Sequence, residues 1–168
     1  MVFRIALSSH DSVGLGHVRR HLAIAHALSR SLPELVGEPV TGMIITGQAS
    51  ATSFRAPDGW DWLVIPSVTV GQEGYASRHL TAGIDRVTAM RGGAIDAALQ
   101  AFGPDLLLID RHPFGVRREL TTALRVQKAT QWLIPALTSV IIILGAQQGE
   151  QQRPVKGLFE TTARMFRK

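Results

Sequence analysis

Two short segments hold most of the residues whose types could do chemistry. The first, Ser9-His10-Asp11-Ser12-Val13-Gly14-Leu15-Gly16-His17, joins an apolar run to a helical pattern, and the second, Asp110-Arg111-His112-Pro113, follows another apolar run. A glycine loop that opens a helix presents backbone N–H groups and the positive end of the helix dipole, a setting that favours a phosphate or an anionic transition state. A histidine in the first helical turn has its charged form disfavoured by that dipole. His17 therefore reads as a neutral imidazole able to take a proton from a hydroxyl, or else as a residue that merely caps the helix or bonds the loop. Asp110 could orient His17 or His10 and raise its basicity, or could cap the next helix, with His112 held in the turn before Pro113.

Other chemistries fit these residues less well. Gly14 and Gly16 suggest a dinucleotide loop, but the third glycine of that fingerprint would fall at Arg19, and the second apolar run ends in Thr46-Gly47-Gln48 with no carboxylate for a ribose. No nicotinamide or flavin cofactor is expected. His10, Asp11, His17, Asp110 and His112 also offer a nitrogen and oxygen donor set suited to zinc or manganese, which makes a metal-dependent hydrolase the rival enzyme. His17 and His21 stand four apart, but His21 is followed by Leu22, Ala23 and Ile24 instead of the pattern of a helical metalloenzyme, so no metal is expected. His21, His26 and His79 read as ordinary surface or boundary residues.

The elements that must position these residues follow from the spacing of apolar positions. Arg4–Ser8, preceded by Val2 and Phe3, reads as a buried first strand, and Val18, Leu22, Ala25 and Leu28, with Ile24, form the stripe of a helix that should end before Pro33. Thr41–Thr46, Trp60–Ile65 and Asp105–Ile109 read as the second, third and fourth strands, with a short helical segment or loop near Ala49–Phe54. Ser67 to Ala82 has no clear period and reads as a long surface loop. Residues 84–102 resume helical spacing, interrupted by Gly92-Gly93 and stopped by Gly103-Pro104. Val140–Leu144 reads as a fifth strand, since with Pro135 nearby the run is shorter than the ~20 residues a membrane span needs. Continuous apolar strands separated by helices predict an α/β class with a parallel sheet covered on both faces: a single Rossmann-like three-layer lobe. In such a sheet, residues after the first and fourth strands share the carboxyl edge.

Taken together these motifs resemble the N-terminal half of predicted glycosyltransferases related to the MurG group, family 28. The match comprises Ser9-His10-Asp11-x-x-Gly14-Leu15-Gly16-His17-x-Arg19-Arg20, then Leu22-Ala23-x-Ala25-x-Ala27-Leu28, Ile45-Thr46-Gly47, Ile65-Pro66-Ser67, and Pro104 to Asp110 with His112, Pro113 and Gly115. It covers about residues 3–120. The resemblance implies half of a two-lobed GT-B fold whose N-terminal lobe binds the acceptor while a C-terminal lobe binds the nucleotide-sugar donor. It implies inverting sugar transfer to a hydroxyl, with His17 as the catalytic base or acceptor contact, Gly14 and Gly16 letting the loop approach the substrate, and Arg19 offsetting phosphate charge. The shared carboxyl edge adds Asp110 as a second catalytic residue and His10, Asp11 and His112 as substrate contacts. Members of the family are roughly twice this length, so a donor lobe is expected to be missing from these 168 residues, leaving them inactive alone and in need of a donor-lobe partner or self-association. The alternative is a noncatalytic carbohydrate- or phosphate-binding fragment.

Composition narrows the classes further. The chain is 45% hydrophobic and 18% charged, as folded proteins are, and it has no cysteine, which excludes disulfides, thiolate metal sites and a thiol nucleophile. With no secretory signal at Met1–His10, a cytoplasmic location is expected. Residues 1–145 are expected to form the lobe and 146–168 a basic, helix-prone tail. Within that tail Arg153, Lys156, Arg164, Arg167 and Lys168 face only Glu160, so most of the net +5 sits there. The near-neutral body lacks a nucleic-acid-reading motif, so no nucleic acid is expected; the tail suits peripheral contact with the inner face of a membrane.

Overall fold

A computed structural model describes residues 1–10, 14–110, 112–126, 130–133 and 140–144. The fold is α/β. Strand β1 (Phe3–Ser8) leads to helix α1 (Gly16–Val36), strand β2 (Val40–Thr46), a single-turn helix at Ala49–Ser53 and strand β3 (Trp60–Val64). Strands β4 (Val68–Gly71) and β5 (Gly74–Ser77) precede helix α2 (Ile84–Phe102) and strand β6 (Leu106–Asp110); a turn at Val116–Arg118, helix α3 (Thr121–Val126), and strands β7 (Thr130–Leu133) and β8 (Val140–Leu144) follow.

The main sheet runs β3-β2-β1-β6-β8-β7. Its first four strands are parallel, with Ile5 paired to Gly42 on one side and to Leu106 on the other. Both faces of the central strands β1 and β6 are largely apolar and each is covered by helix, as the sequence pattern requires of a parallel sheet. Ile5, Leu7, Leu106 and Leu108 pack beneath α1 with Ile24, Ala25, Leu28 and Leu32. On the opposite face Ala6, Leu107 and Ile109 meet Ile95 and Leu99 of α2 and Leu120, Ala123 and Leu124 around α3. Full burial of each large aliphatic side chain contributes about 1.5–3 kcal/mol, so these two layers supply most of the drive to fold. This is a Rossmann-like three-layer lobe. Among the described residues no helix is long and apolar enough to cross a membrane.

Several elements depart from what the spacing predicts. Helix α1 does not stop before Pro33 but continues to Val36, and Gly37 closes it in a left-handed conformation with its N–H donating to Pro33 O at 3.0 Å. A proline this near the C-terminus removes one helical hydrogen bond, a cost offset by the packing of Leu32 and Val36 against the core. Helix α2 is likewise continuous through Gly92-Gly93. A Cβ at Gly92 would stand 2.8 Å from Glu119 O, so the glycine permits close approach of two backbones instead of breaking the helix. Residues 67–82 are no bare loop: β4 and β5 form an antiparallel hairpin in which Val68 pairs with Ser77, and Val68 is buried with Val87 and Val116.

Val140–Leu144 does form a strand, but β8 runs antiparallel to β6, and β7 antiparallel to β8. Only six residues separate β7 from β8, whereas a parallel neighbour needs a crossover of about a dozen residues or more. The tail at 146–168, with its proposed helical and membrane-contacting character, lies outside the described residues.

Candidate functional site

The strand order itself marks a place for a ligand. From β1 the chain moves outward through α1 to β2 and β3, then crosses by the hairpin and α2 on the other face to return as β6 on the far side of β1. The loops leaving the carboxyl ends of β1 and β6 therefore diverge, and the crevice between them is the switch point at which open α/β sheets bind ligands. His10 follows β1, Asp110 ends β6, and His17 opens α1 above both.

Alternation along β6 decides where Asp110 points. Leu106 and Leu108 face α1, so Asp110 does too. Along α1, His17 and Arg20 stand three apart and share the face that descends onto that carboxylate. The contacts are direct. His17 Nδ1 lies 2.5 Å from Asp110 Oδ2, and Arg20 Nη2 donates to Asp110 Oδ1. The aspartate side chain is fully buried, whereas the His17 ring remains 22% exposed. An ionised carboxylate only accepts, so Nδ1 carries the hydrogen and donates it to Oδ2. Arg20 Nη2 also lies 2.8 Å from Nδ1, a contact that cannot be a hydrogen bond in that tautomer. The tautomer with a bare Nδ1 would set a lone pair against the carboxylate and is disfavoured by charge. Nε2 is then the ring nitrogen left to take a proton.

The other predicted residues divide. His10 is buried between three rings in edge-on contact, with centroids 5.6 Å from His17, 5.1 Å from His112 and 6.4 Å from Tyr75. His112 stands in a turn, its carbonyl accepting from Gly115 N–H at 2.9 Å. Gly14 has φ +100°, a conformation that suits glycine alone, while a Cβ at either Gly14 or Gly16 would meet nothing within 4 Å. Among the described residues no side chain caps the N-terminus of α1, and its first turn contains no acidic residue. His17 does not serve as a cap there, nor does Asp110 cap the helical turn at Val116–Arg118 that follows it. Arg19 is not at the carboxylate: its guanidinium stacks on Phe54 at 5.5 Å. Asp11 lies outside the described residues. Among the described residues no three histidine or carboxylate groups stand where they could hold a metal ion.

Comparison with known proteins yields no relative. No family model matches the chain, and neither a curated protein nor a solved structure resembles it significantly. The site must therefore be read from its own geometry.

Four residues at this edge escaped the sequence reading. Arg20 is signalled by its i+3 spacing from His17, but only the fold supplies its carboxylate. His21 is no boundary residue: it is fully buried, because it falls on the α1 stripe with Val18, Ala25 and Leu28. Burial lowers its pKa to about 4, with Asp110 pulling the other way and Arg20 and His17 adding to the depression. It is a neutral ring at physiological pH. Arg91 and Glu119 form the other assembly, buried on the α2 face. Arg91 Nε and Nη2 donate to Glu119 Oε2 and Oε1 at 2.5 and 2.9 Å, Arg91 Nη1 donates to Pro66 O at 2.5 Å, and Val116 N–H donates to Glu119 Oε1 at 3.2 Å. No local sequence signal marks this pair. Between the two assemblies lies an open depression of about 280 Å³ lined by Ser9, His10, Arg91, Asp110, His112 and Glu119.

Proposed function

We propose that this crevice is the acceptor side of a sugar-transfer site, in which His17, oriented by Asp110, removes the proton of an acceptor hydroxyl as a sugar passes to it from a nucleotide-sugar donor. One observation carries the reading: the His17 Nδ1 to Asp110 Oδ2 contact at 2.5 Å, in the first turn of α1 at the sheet's switch point. A buried carboxylate behind an imidazole fixes the tautomer and stabilises the imidazolium that forms, the arrangement general bases use on hydroxyls. A helix N-terminus favours a phosphate or developing negative charge beside it. The sequence resemblance to the family 28 glycosyltransferases, with the half GT-B architecture it implies, points the same way.

The depression is open instead of enclosed, which suits one side of a shared cleft. The nucleotide-sugar donor then needs a second lobe, supplied by a partner chain or by further polypeptide. Contact of the basic 153–168 segment with an anionic membrane surface belongs to the same proposal, since acceptors carried on lipids would be met there.

The test is to incubate the purified chain with labelled nucleotide sugars and hydroxyl acceptors, alone and with a separately expressed donor lobe. Transfer that falls by about 10²–10⁴-fold in His17→Ala is the expected result. Absence of transfer in every combination, with ligand binding retained, would leave a noncatalytic binding module. Transfer that is unchanged in His17→Ala would remove the proposed base.

A further inference from the structure

Among the described residues, several buried polar atoms on neighbours of Asp110 have no hydrogen-bond partner. Ser9 Oγ, Arg20 Nε and both ring nitrogens of His21 are buried and unpartnered. All three residues border the same carboxylate. Ser8 pairs with Ile109, so Ser9 is the neighbour of Asp110 at the ends of β1 and β6. Arg20 binds Asp110 directly, and His21 lies next on α1, within electrostatic reach of Asp110, Arg20 and His17.

Leaving such a group unsatisfied is costly, and native proteins satisfy nearly all of them with protein or ordered water. Three residues supply complementary partners. Arg20 Nε is a donor, Ser9 Oγ both donates and accepts, and a neutral His21 offers one donor and one acceptor. Buried waters make about three hydrogen bonds each, which matches this set.

We propose that ordered water is held beneath the first two turns of α1 by Ser9 Oγ, Arg20 Nε and the His21 ring, and that through it His21 is a positioning residue for the His17–Asp110 dyad. The mechanism is mechanical. Arg20 grips the carboxylate through Nη2, and water at Nε holds the guanidinium plane so that it cannot swing away. Asp110 then stays aligned with His17 Nδ1. The inference rests on the packing alone and stands whether or not the chain transfers sugar.

The test uses NMR on the intact chain. Long-lived water should give cross-relaxation to the His21 ring, and the hydrogen-bonded His17 Nδ1–H should give a downfield proton resonance. In His21→Leu both signals should be lost, because an apolar side chain cannot hold the water. In His21→Gln, whose amide both donates and accepts, both should be retained. A merely structural histidine would let leucine preserve the His17 resonance, and that outcome overturns the proposal, as does a wild-type His21 with no long-lived water. Should His21→Leu fail to fold, Ser9→Ala decides: weakened water and resonance signals support the site, and unchanged signals overturn it.

Discussion

Two charged assemblies stand on opposite faces of the same sheet edge, and they are finished to different degrees. Arg91 and Glu119 are almost wholly buried, with side chains 2% and 4% exposed, and four hydrogen bonds saturate them. His17, Arg20 and Asp110 join a fully buried carboxylate to two partly exposed side chains, with polar atoms on neighbouring residues that have no partner among the described residues. The saturated pair ties α2 to the segment before α3 and to the end of β3. The unsaturated trio retains a nitrogen free to take a proton. Closed ion pairs of the first kind are structure; open ones at a switch point are where chemistry is sought.

The comparison is broken most forcefully on its closed side. Arg91→Ala leaves Glu119 as a buried, unpaired charge, so a loss of about 3–5 kcal/mol is expected, read as a fall of roughly 10 °C in Tm by thermal unfolding. A loss below about 1 kcal/mol would show that the pair is not the latch described.

The next effect lies behind the open side and is a pH dependence. His21 has a depressed pKa in the folded protein, about 4, against 6.5 when unfolded. Between those values the unfolded chain binds a proton that the folded one refuses. The stability contributed is present above pH 6.5 and is lost as pH falls toward 4, a loss of roughly 3 kcal/mol. Urea titrations from pH 7 to pH 4 measure it, and His21→Leu should flatten that part of the curve. An equal acid dependence in wild type and variant would place the titrating group elsewhere.

Smaller effects sharpen the contrast within the glycine loop. Gly14→Ala should cost about 1–2 kcal/mol, because φ +100° strains any side chain even where nothing crowds it. Gly16→Ala should be tolerated, and equal losses at both positions in urea unfolding would contradict the loop geometry. Arg19→Ala removes only the stack on Phe54, so about 0.5–1 kcal/mol is expected.

What was legible in the sequence follows the strength of its periodic signals. The four parallel strands are continuous apolar runs bounded by glycine, proline or helix, and their bounds agree within a residue or so. The β4–β5 hairpin was not legible, since four-residue strands such as Val68–Gly71 are too short for alternation to register. His21 carries two opposed signals: its spacing from Val18 and Ala25 places it on the buried stripe, where the structure has it, while its polar type points to a boundary. The cluster of His10, His17, Asp110 and His112 at one edge could be anticipated from the topology of a parallel sheet. Arg20 and Arg91 could not, because their partners lie 90 and 28 residues away and only the fold brings them together.

Whether His17 can act as a base depends on which of its nitrogens holds the hydrogen, and two-bond proton–nitrogen correlation of the imidazole ring reads that directly. The arrangement described here predicts a hydrogen on Nδ1, bonded to Asp110, and a bare Nε2. A ring protonated on Nε2, with Nδ1 accepting from Arg20 at 2.8 Å, would contradict it, since no base would then remain to meet a hydroxyl.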